Sequence, residues 1–62
     1  MYNYAYVFSI NSKVVWSGET VETLKKRVNV AEDLAEIEGL IKHGKAGSHI
    51  SLTTGEMVFR VA

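Results

Sequence analysis

The chain has no cysteine and no proline among its 62 residues. Without cysteine it has neither disulfides nor thiolate metal ligands, and this composition is typical of a reducing compartment, so we expect a cytoplasmic location. No run approaches the roughly 20 apolar residues that cross a membrane, and no basic segment followed by an apolar run opens the chain. We therefore expect neither a membrane anchor nor a secretory signal.

The chain also has no net charge, because seven Lys and Arg residues balance seven Asp and Glu residues. A neutral chain has no general attraction for nucleic acid or anionic membranes, and its copies repel one another little. A chain of 62 residues lies near the lower limit for independent folding. We therefore expect a single domain over residues 1–62, stabilised by self-association as small uncross-linked domains often are.

Residues 20–43 form the only segment long enough for a substantial helix. Apolar residues recur there in steps of three and four, which indicates one helical face: Val21, Leu24, Val28, Ala31, Leu34 or Ala35, Ile37 and Ile41. Thr20 is suited to cap the start, and Gly44 to end the helix in the left-handed conformation. Gly39 is costly inside a helix, and we interpret it as a point of close approach by another element.

The Val28-Asn29-Val30 segment interrupts this pattern with three poor helix formers. Asn29 precedes Glu32 by three residues, a spacing similar to that of a capping box. The segment predicts either one kinked helix or two helices, over about 20–28 and 30–43. A strand over 24–30 is the second interpretation, because apolar and polar residues also alternate there.

The first segments predict a β-hairpin, with strands over 2–10 and 13–17 and a turn at Asn11-Ser12. A two-residue turn pairs Phe8 with Val15. One face then carries Tyr4, Tyr6, Phe8, Ile10 and Val15, and the other carries Ala5, Val7, Val14 and Trp16. A three-residue turn would instead gather Phe8, Ile10, Val14 and Trp16 on one side. In the first register both faces are apolar, which predicts contacts on both sides.

The last segments predict a second hairpin, with strands over 49–53 and 56–61 joined at Thr54-Gly55. That pairing puts one apolar set on the core face: Ile50, Leu52, Met57, Phe59 and Val61. The other face carries His49, Ser51, Thr53, Glu56, Val58 and Arg60. The predicted fold class is α+β in the order β-β-α-β-β, two antiparallel hairpins forming a sheet packed against one central helix, straight or kinked.

No residues in the chain form a convincing catalytic or metal site. His43 and His49, with Asp33, Glu36 or Glu38, could supply zinc ligands, but their spacing matches no zinc motif. We interpret His43 as a helix-end residue and His49 as the start of a strand. The acidic residues suit an exposed helix face, and no nucleophile or phosphate-binding motif occurs. We therefore predict no enzyme activity and no cofactor.

A nucleic-acid surface is a competing hypothesis that rests on basic and aromatic residues. Lys25-Lys26-Arg27 forms one basic run, and Lys42, His43 and Lys45 form a second cluster. Successive helical residues point in different directions, and Lys26 is spaced to pair with Glu22. We favour a solvated helix face, because the net charge is zero and acidic residues lie nearby.

The aromatic residues of the first hairpin are the most informative feature. We expect Phe8 to pack in the core, and one interpretation places Tyr6 or Tyr4 there with it. The competing interpretation is an interface, because tyrosine and tryptophan combine large area with a polar tip and dominate binding hot spots. The predicted interface residues are Tyr2, Tyr4, Tyr6, Val14 and Trp16.

These features lead to three functional hypotheses. The first is a small non-catalytic protein interaction module, a homodimer or larger assembly, that binds or inhibits another, unidentified protein, as accessory proteins do. The second is a nucleic-acid-binding module that uses the basic helix start and the aromatic strand. The third is a small-ligand binder with its site at an oligomer interface, since one chain of this size encloses little volume.

Overall fold

The computed structural model describes residues 2–62 and has an α+β architecture, with two helices and a four-stranded antiparallel sheet. The elements are β1 (Tyr4–Ile10), β2 (Lys13–Glu19), α1 (Val21–Arg27), α2 (Ala31–His43), β3 (His49–Ser51) and β4 (Met57–Arg60). The strands lie in the order β2-β1-β4-β3. The chain order is therefore β-β-α-α-β-β, because the predicted central helix is divided in two.

The division falls at the Val28-Asn29-Val30 segment, where the sequence predicts a break, and the strand interpretation of 24–30 is wrong. Thr20 caps α1 in a capping box: its hydroxyl accepts from the Thr23 N–H at 3.3 Å, and the Thr23 hydroxyl accepts from the Thr20 N–H at 2.8 Å. Val28 and Val30 have extended backbones, which suit β-branched residues. Val30 precedes α2 without a side-chain cap, so the Asn29–Glu32 box does not form.

The end of α2 differs from the predicted left-handed glycine cap. Gly44 has φ −71° and ψ 150°, an ordinary extended conformation, and its N–H donates to the Leu40 carbonyl at 2.9 Å. Arg60 of β4 instead satisfies the terminal carbonyls, donating from Nη1 to Leu40 at 3.3 Å, Ile41 at 3.0 Å and Gly44 at 3.0 Å. A side chain from the sheet therefore completes the helix end. Within residues 2–62, no helix has the length and apolar character needed to cross a membrane.

The first hairpin has the predicted two-residue turn. Asn11 and Ser12 have φ values of 50° and 64°, the pair of positive values that a type I′ turn requires. Phe8 consequently pairs with Val15, and the alternative three-residue turn is excluded. Tyr4 and Tyr6 thus share one face of β1, and Val14 and Trp16 lie on the opposite face of β2.

The second hairpin has a different register from the predicted one. Ser51 pairs with Met57, and the Leu52 N–H donates to the Glu56 carbonyl at 2.8 Å across a loop of residues 53–55. Gly55, with φ 98°, takes the left-handed position that closes such three-residue loops. The predicted two-residue turn at Thr54-Gly55 is therefore wrong by one residue.

A slip of one residue moves every side chain of a strand to the other face. Val58 therefore points into the core beside Ile50, with which it pairs, and is fully buried. Met57 and Phe59, predicted for the core, lie on the opposite face and are only half-buried.

The hydrophobic core lies between one face of the sheet and the two helices. Its buried members come from two strands, both helices and the segments that follow α1 and β3: Tyr4, Tyr6, Leu24, Val28, Ile37, Leu40, Leu52 and Val58. Phe8 packs against this cluster while remaining partly exposed, because the tip of the first hairpin extends beyond the helices. The helical layer therefore covers one face of the sheet.

Asp33 in the first turn of α2 is buried, although the sequence places it among exposed acids. Its two carboxylate oxygens accept hydrogen bonds from the N–H and the hydroxyl of Thr53, both at 2.9 Å. Every buried side-chain nitrogen and oxygen in residues 2–62 has such a partner. Asp33 thus binds the start of α2 to the loop between β3 and β4.

We expect Asp33→Ala to lower the free energy of unfolding by about 2–3 kcal/mol, because it leaves the Thr53 N–H without its acceptor. Thr53→Val should cost less, since it removes only the hydroxyl bond. A double-mutant cycle measured by urea denaturation should give a coupling energy of about 1 kcal/mol between the two positions. Additive effects would contradict the proposed link.

Gly39 provides a second test of the packing. The sequence suggests close approach at this position, but a methyl group placed on Gly39 would meet no atom within 4 Å. We therefore expect Gly39→Ala to raise the free energy of unfolding by about 0.5–1 kcal/mol, the gain in helix propensity. Gly55→Ala is the matched contrast and should destabilise the protein, because Gly55 has a positive φ.

Candidate functional site

The sheet face opposite the helices, here called the open face, is the most distinctive surface of the molecule. Strand alternation and the observed pairings place ten residues on it: Ala5, Val7, Ser9, Val14, Trp16, Gly18, His49, Ser51, Met57 and Phe59. Most of them are apolar or aromatic. No helix of the described chain covers this face, since both helices pack on the other side.

The open face contains no charged Asp, Glu, Lys or Arg side chain. The strands contain three such residues, Lys13, Glu19 and Arg60. Lys13 pairs with Ile10, and Glu19 and Arg60 both pair with Tyr4, so all three lie on the side that the helices cover. This is the reverse of the usual half-buried sheet, in which charges lie on the solvent side.

Among the large hydrophobic residues of the open face, exposure is greatest along β2. Val14 and Trp16 are 73% and 60% exposed. The ring of Tyr2 lies beside them: its centroid is 5.8 Å from that of Trp16, and it fills the space that a side chain at Gly18 would need. These residues form a contiguous aromatic and aliphatic surface at one edge of the sheet.

The five predicted interface residues fall on two sides of the sheet. Tyr2, Val14 and Trp16 lie together on the open face. Tyr4 and Tyr6 are 3% and 8% exposed and belong to the core beneath the helices. The candidate surface is therefore formed by Tyr2, Val14 and Trp16. Tyr4 and Tyr6 anchor β1 to the core on the other side of the sheet.

The part of the open face formed by β3 and β4 was not predicted from the sequence, because its residues depend on the register of the second hairpin. Phe59 stacks on His49, with ring centroids 5.1 Å apart and planes 27° from parallel. Met57 and Val7 pair across β1 and β4 and join this ring pair to Trp16. The glycine at position 55 is compatible with the observed three-residue loop, but it does not distinguish that loop from a two-residue turn.

The residues considered as metal ligands or acid–base groups are not brought together. Asp33 is bound to Thr53, His49 stacks on Phe59, and His43 lies at the end of α2 beside a shallow depression. Glu36 lines the same depression, and Glu38 pairs with Lys25. Within residues 2–62, no group of three or more His, Asp or Glu side chains is arranged to hold a metal ion.

The basic run at the end of α1 is engaged in ion pairs. Lys25 Nζ lies 2.6 Å from a carboxylate oxygen of Glu38, and Arg27 Nε lies 2.8 Å from Glu19. The ion pairs within residues 2–62 do not include the predicted pairing of Lys26 with Glu22. Two of the three cations of the run are thus partly neutralised, which weakens the case for a phosphate-binding surface.

Glu19 is buried where β2 leads into α1, and its carboxylate is held by several donors. Ser17 and Arg27 donate to one carboxylate oxygen. Burial on its own would raise the pKa of Glu19, but hydrogen bonds from Ser17, Thr23 and Arg27, with the Arg27 charge, bring it below the usual value. The guanidinium carbon of Arg27 also lies 5.0 Å from the Tyr6 ring centroid. Through Glu19 and Tyr6, Arg27 therefore holds α1 against the sheet.

A small polar cleft lies between the helix break and the second hairpin. Tyr6, Arg27, Asn29, Asp33 and Glu56 are among the residues that line it. Burial and the nearby Glu56 carboxylate raise the pKa of the Tyr6 hydroxyl. A hydroxyl with a raised pKa stays protonated at neutral pH, so this arrangement does not activate it as a nucleophile.

No protein-family model matches this chain, and no curated protein or solved structure is significantly similar to it. Its function is therefore inferred from its own surfaces. The open face is the surface whose composition departs furthest from that of an ordinary solvated sheet.

We expect Glu19→Gln to lower the free energy of unfolding by about 1–2 kcal/mol near neutral pH, because a charge-assisted bond to a partly exposed Arg27 is lost. The folded-state pKa of Glu19 is depressed, so its stabilisation is present above the unfolded-state pKa. That stabilisation is lost as the pH falls through the folded-state pKa.

The difference in free energy of unfolding between the wild type and this variant should therefore shrink as the pH falls below the ordinary glutamate pKa of about 4.3. This difference is measured by urea denaturation at one protein concentration, with circular dichroism as the signal. Glu38→Gln is the matched control, since Glu38 is exposed and its loss should matter less and depend on salt. A difference for Glu19→Gln that is constant with pH would contradict the assignment.

Proposed function

We propose that this chain is a small, non-catalytic protein interaction module that forms a homodimer and acts by binding, or binding and inhibiting, another protein. The observation that carries the proposal is an exposed sheet face with no charged side chain. The second copy binds at the β2 side of the open face, where Tyr2, Val14 and Trp16 are exposed.

The composition of the open face favours a protein as its occupant. Tryptophan and tyrosine are enriched among the residues that dominate protein interfaces, and charged residues are depleted at interface cores. Trp16 and Tyr2 form such an aromatic pair, flanked by Val14 and Gly18. Exposed apolar patches of this kind on small proteins mark interaction sites more often than they mark bare surface.

Self-association is favoured by the balance of charge and by the size of the chain. Seven basic and seven acidic side chains leave copies without net repulsion. A 62-residue chain with one helical layer gains burial when a second copy packs at the exposed β2 side of its sheet. Binding of nucleic acid is less well supported, because its phosphates need cations and the open face has none.

Val14→Glu is the test of this surface. We expect the wild type to sediment as a dimer at high micromolar concentration, and the variant to raise the dimer dissociation constant at least about tenfold, equivalent to about 1.4 kcal/mol. The physical reason is that a carboxylate would be desolvated at the centre of an apolar contact. Sedimentation velocity over a concentration series measures both proteins.

Ile10→Glu is the matched control. Ile10 is 54% exposed on the same hairpin but lies on the opposite face, so this variant should dimerise like the wild type. A wild type that remains monomeric would contradict the proposed self-association. Equal effects of the two variants on the dimer dissociation constant would contradict the assignment of the dimer contact to the open face.

A further inference from the structure

The free edge of β2 differs from the other edge of the sheet. The strand order β2-β1-β4-β3 leaves β2 and β3 as edges, and β3 has only three residues whereas β2 has seven. Natural edge strands are protected by shortness, proline, bulges or inward charges. β2 contains no proline, and its pairing with β1 runs unbroken from Lys13 to Glu19. Its charged residues, Lys13 and Glu19, lie only at its two ends, so the five residues between them form a regular edge without these protective features.

The backbone groups of β2 alternate in direction. Because a two-residue turn makes Ile10 and Lys13 a hydrogen-bonded pair, the N–H and C=O groups of Lys13, Val15, Ser17 and Glu19 point toward β1. Those of Val14, Trp16 and Gly18 point away from the sheet. The side chains of Val14 and Trp16 also lie on the β2 side of the open face. One extended partner strand would therefore pair with the outward backbone groups of β2 and contact these side chains at the same time.

We propose that β2 pairs antiparallel with β2 of a second copy across a two-fold axis at Trp16, which joins the two sheets edge to edge. This inference rests on the proposed self-association and specifies its geometry. Pairing about Trp16 overlaps all seven residues of the strand. It also sets Trp16 against Trp16, in the register that the outward backbone groups require.

The strand is complementary to itself in this register. Lys13 of one copy lies opposite Glu19 of the other, whose carboxylate already binds Ser17 and Arg27 of its own chain, so residues of like charge are not paired at either end. Val14 lies opposite Gly18, and the Tyr2 ring that covers Gly18 gives Val14 an apolar surface to contact. This complementarity within one sequence is the reason to assign the edge to a second copy rather than to an unrelated peptide.

The pairing leaves the remainder of the open face free. Residues paired directly across antiparallel strands share a face, so the helices of both copies lie on one side and both open faces on the other. The surface around Val7, Met57 and Phe59 is then doubled in extent and remains exposed for another protein. Dimerisation and partner binding consequently use different parts of the same sheet.

Val14→Pro against Val14→Ala separates edge pairing from face packing. Alanine removes both valine methyl groups and keeps the backbone N–H. Proline keeps three side-chain carbons but removes the outward N–H, and it is tolerated at such positions of edge strands. By symmetry the dimer would lose two backbone bonds. We expect Val14→Pro to raise the dimer dissociation constant about 30-fold or more, and Val14→Ala to change it less than about tenfold.

Amide hydrogen exchange of the wild type provides a measurement that does not depend on a variant. The amides of Val14, Trp16 and Gly18 should become protected as the protein concentration rises. This result decides the matter if Val14→Pro fails to fold by circular dichroism.

Equal dimerisation of Val14→Pro and Val14→Ala, or outward amides that stay unprotected in a wild-type dimer, would overturn edge pairing while leaving self-association through the open face. Protection that arises only when another protein is added would overturn the assignment to a second copy. A wild type that is monomeric throughout would overturn both edge pairing and self-association.

Discussion

The turn at Asn11-Ser12 determines which side of the sheet each residue of the first hairpin occupies. Two consecutive positive φ values close a two-residue loop, and that loop fixes the register of β1 against β2. Tyr4 and Tyr6 are thereby directed beneath the helices, and Val14 and Trp16 are directed away from them. Since one helical layer covers only one face of a sheet, the side that receives Trp16 stays open. The surface proposed for binding follows from a local backbone geometry together with the single helical layer.

Charged side chains hold the helical layer in place at three points. Asp33 binds the start of α2 to the loop after β3, Arg60 binds the end of α2 to β4, and the Glu19–Arg27 pair binds α1 to β2. Each of these side chains lies on the covered side of the sheet, where its hydrogen-bonding groups find partners. These charges thus serve the internal organisation of a very small fold.

Much of this arrangement could be predicted from the sequence where local chemistry decides it. The three- and four-residue spacing identified the helical segment, Thr20 its start, and the Val28-Asn29-Val30 segment its break. The length of the loop at Gly55 could not be predicted in the same way, because two- and three-residue turns both accept glycine at that point. The burial of Asp33 depends on Thr53, twenty residues away, and no local pattern reports such a contact. Periodicity grouped Tyr4 and Tyr6 with Phe8, but it does not tell which face of a two-sided apolar hairpin the helices will cover.

Trp16 is the one tryptophan of the chain, and it lies exposed at the centre of the proposed contact. Its indole is already largely in water in the folded monomer, so unfolding alone should change its emission little. Burial against another molecule should shift that emission to shorter wavelengths. Tryptophan fluorescence should therefore respond to binding and change little on unfolding. The far-ultraviolet circular dichroism of the helices and sheet should respond to unfolding and change little on binding.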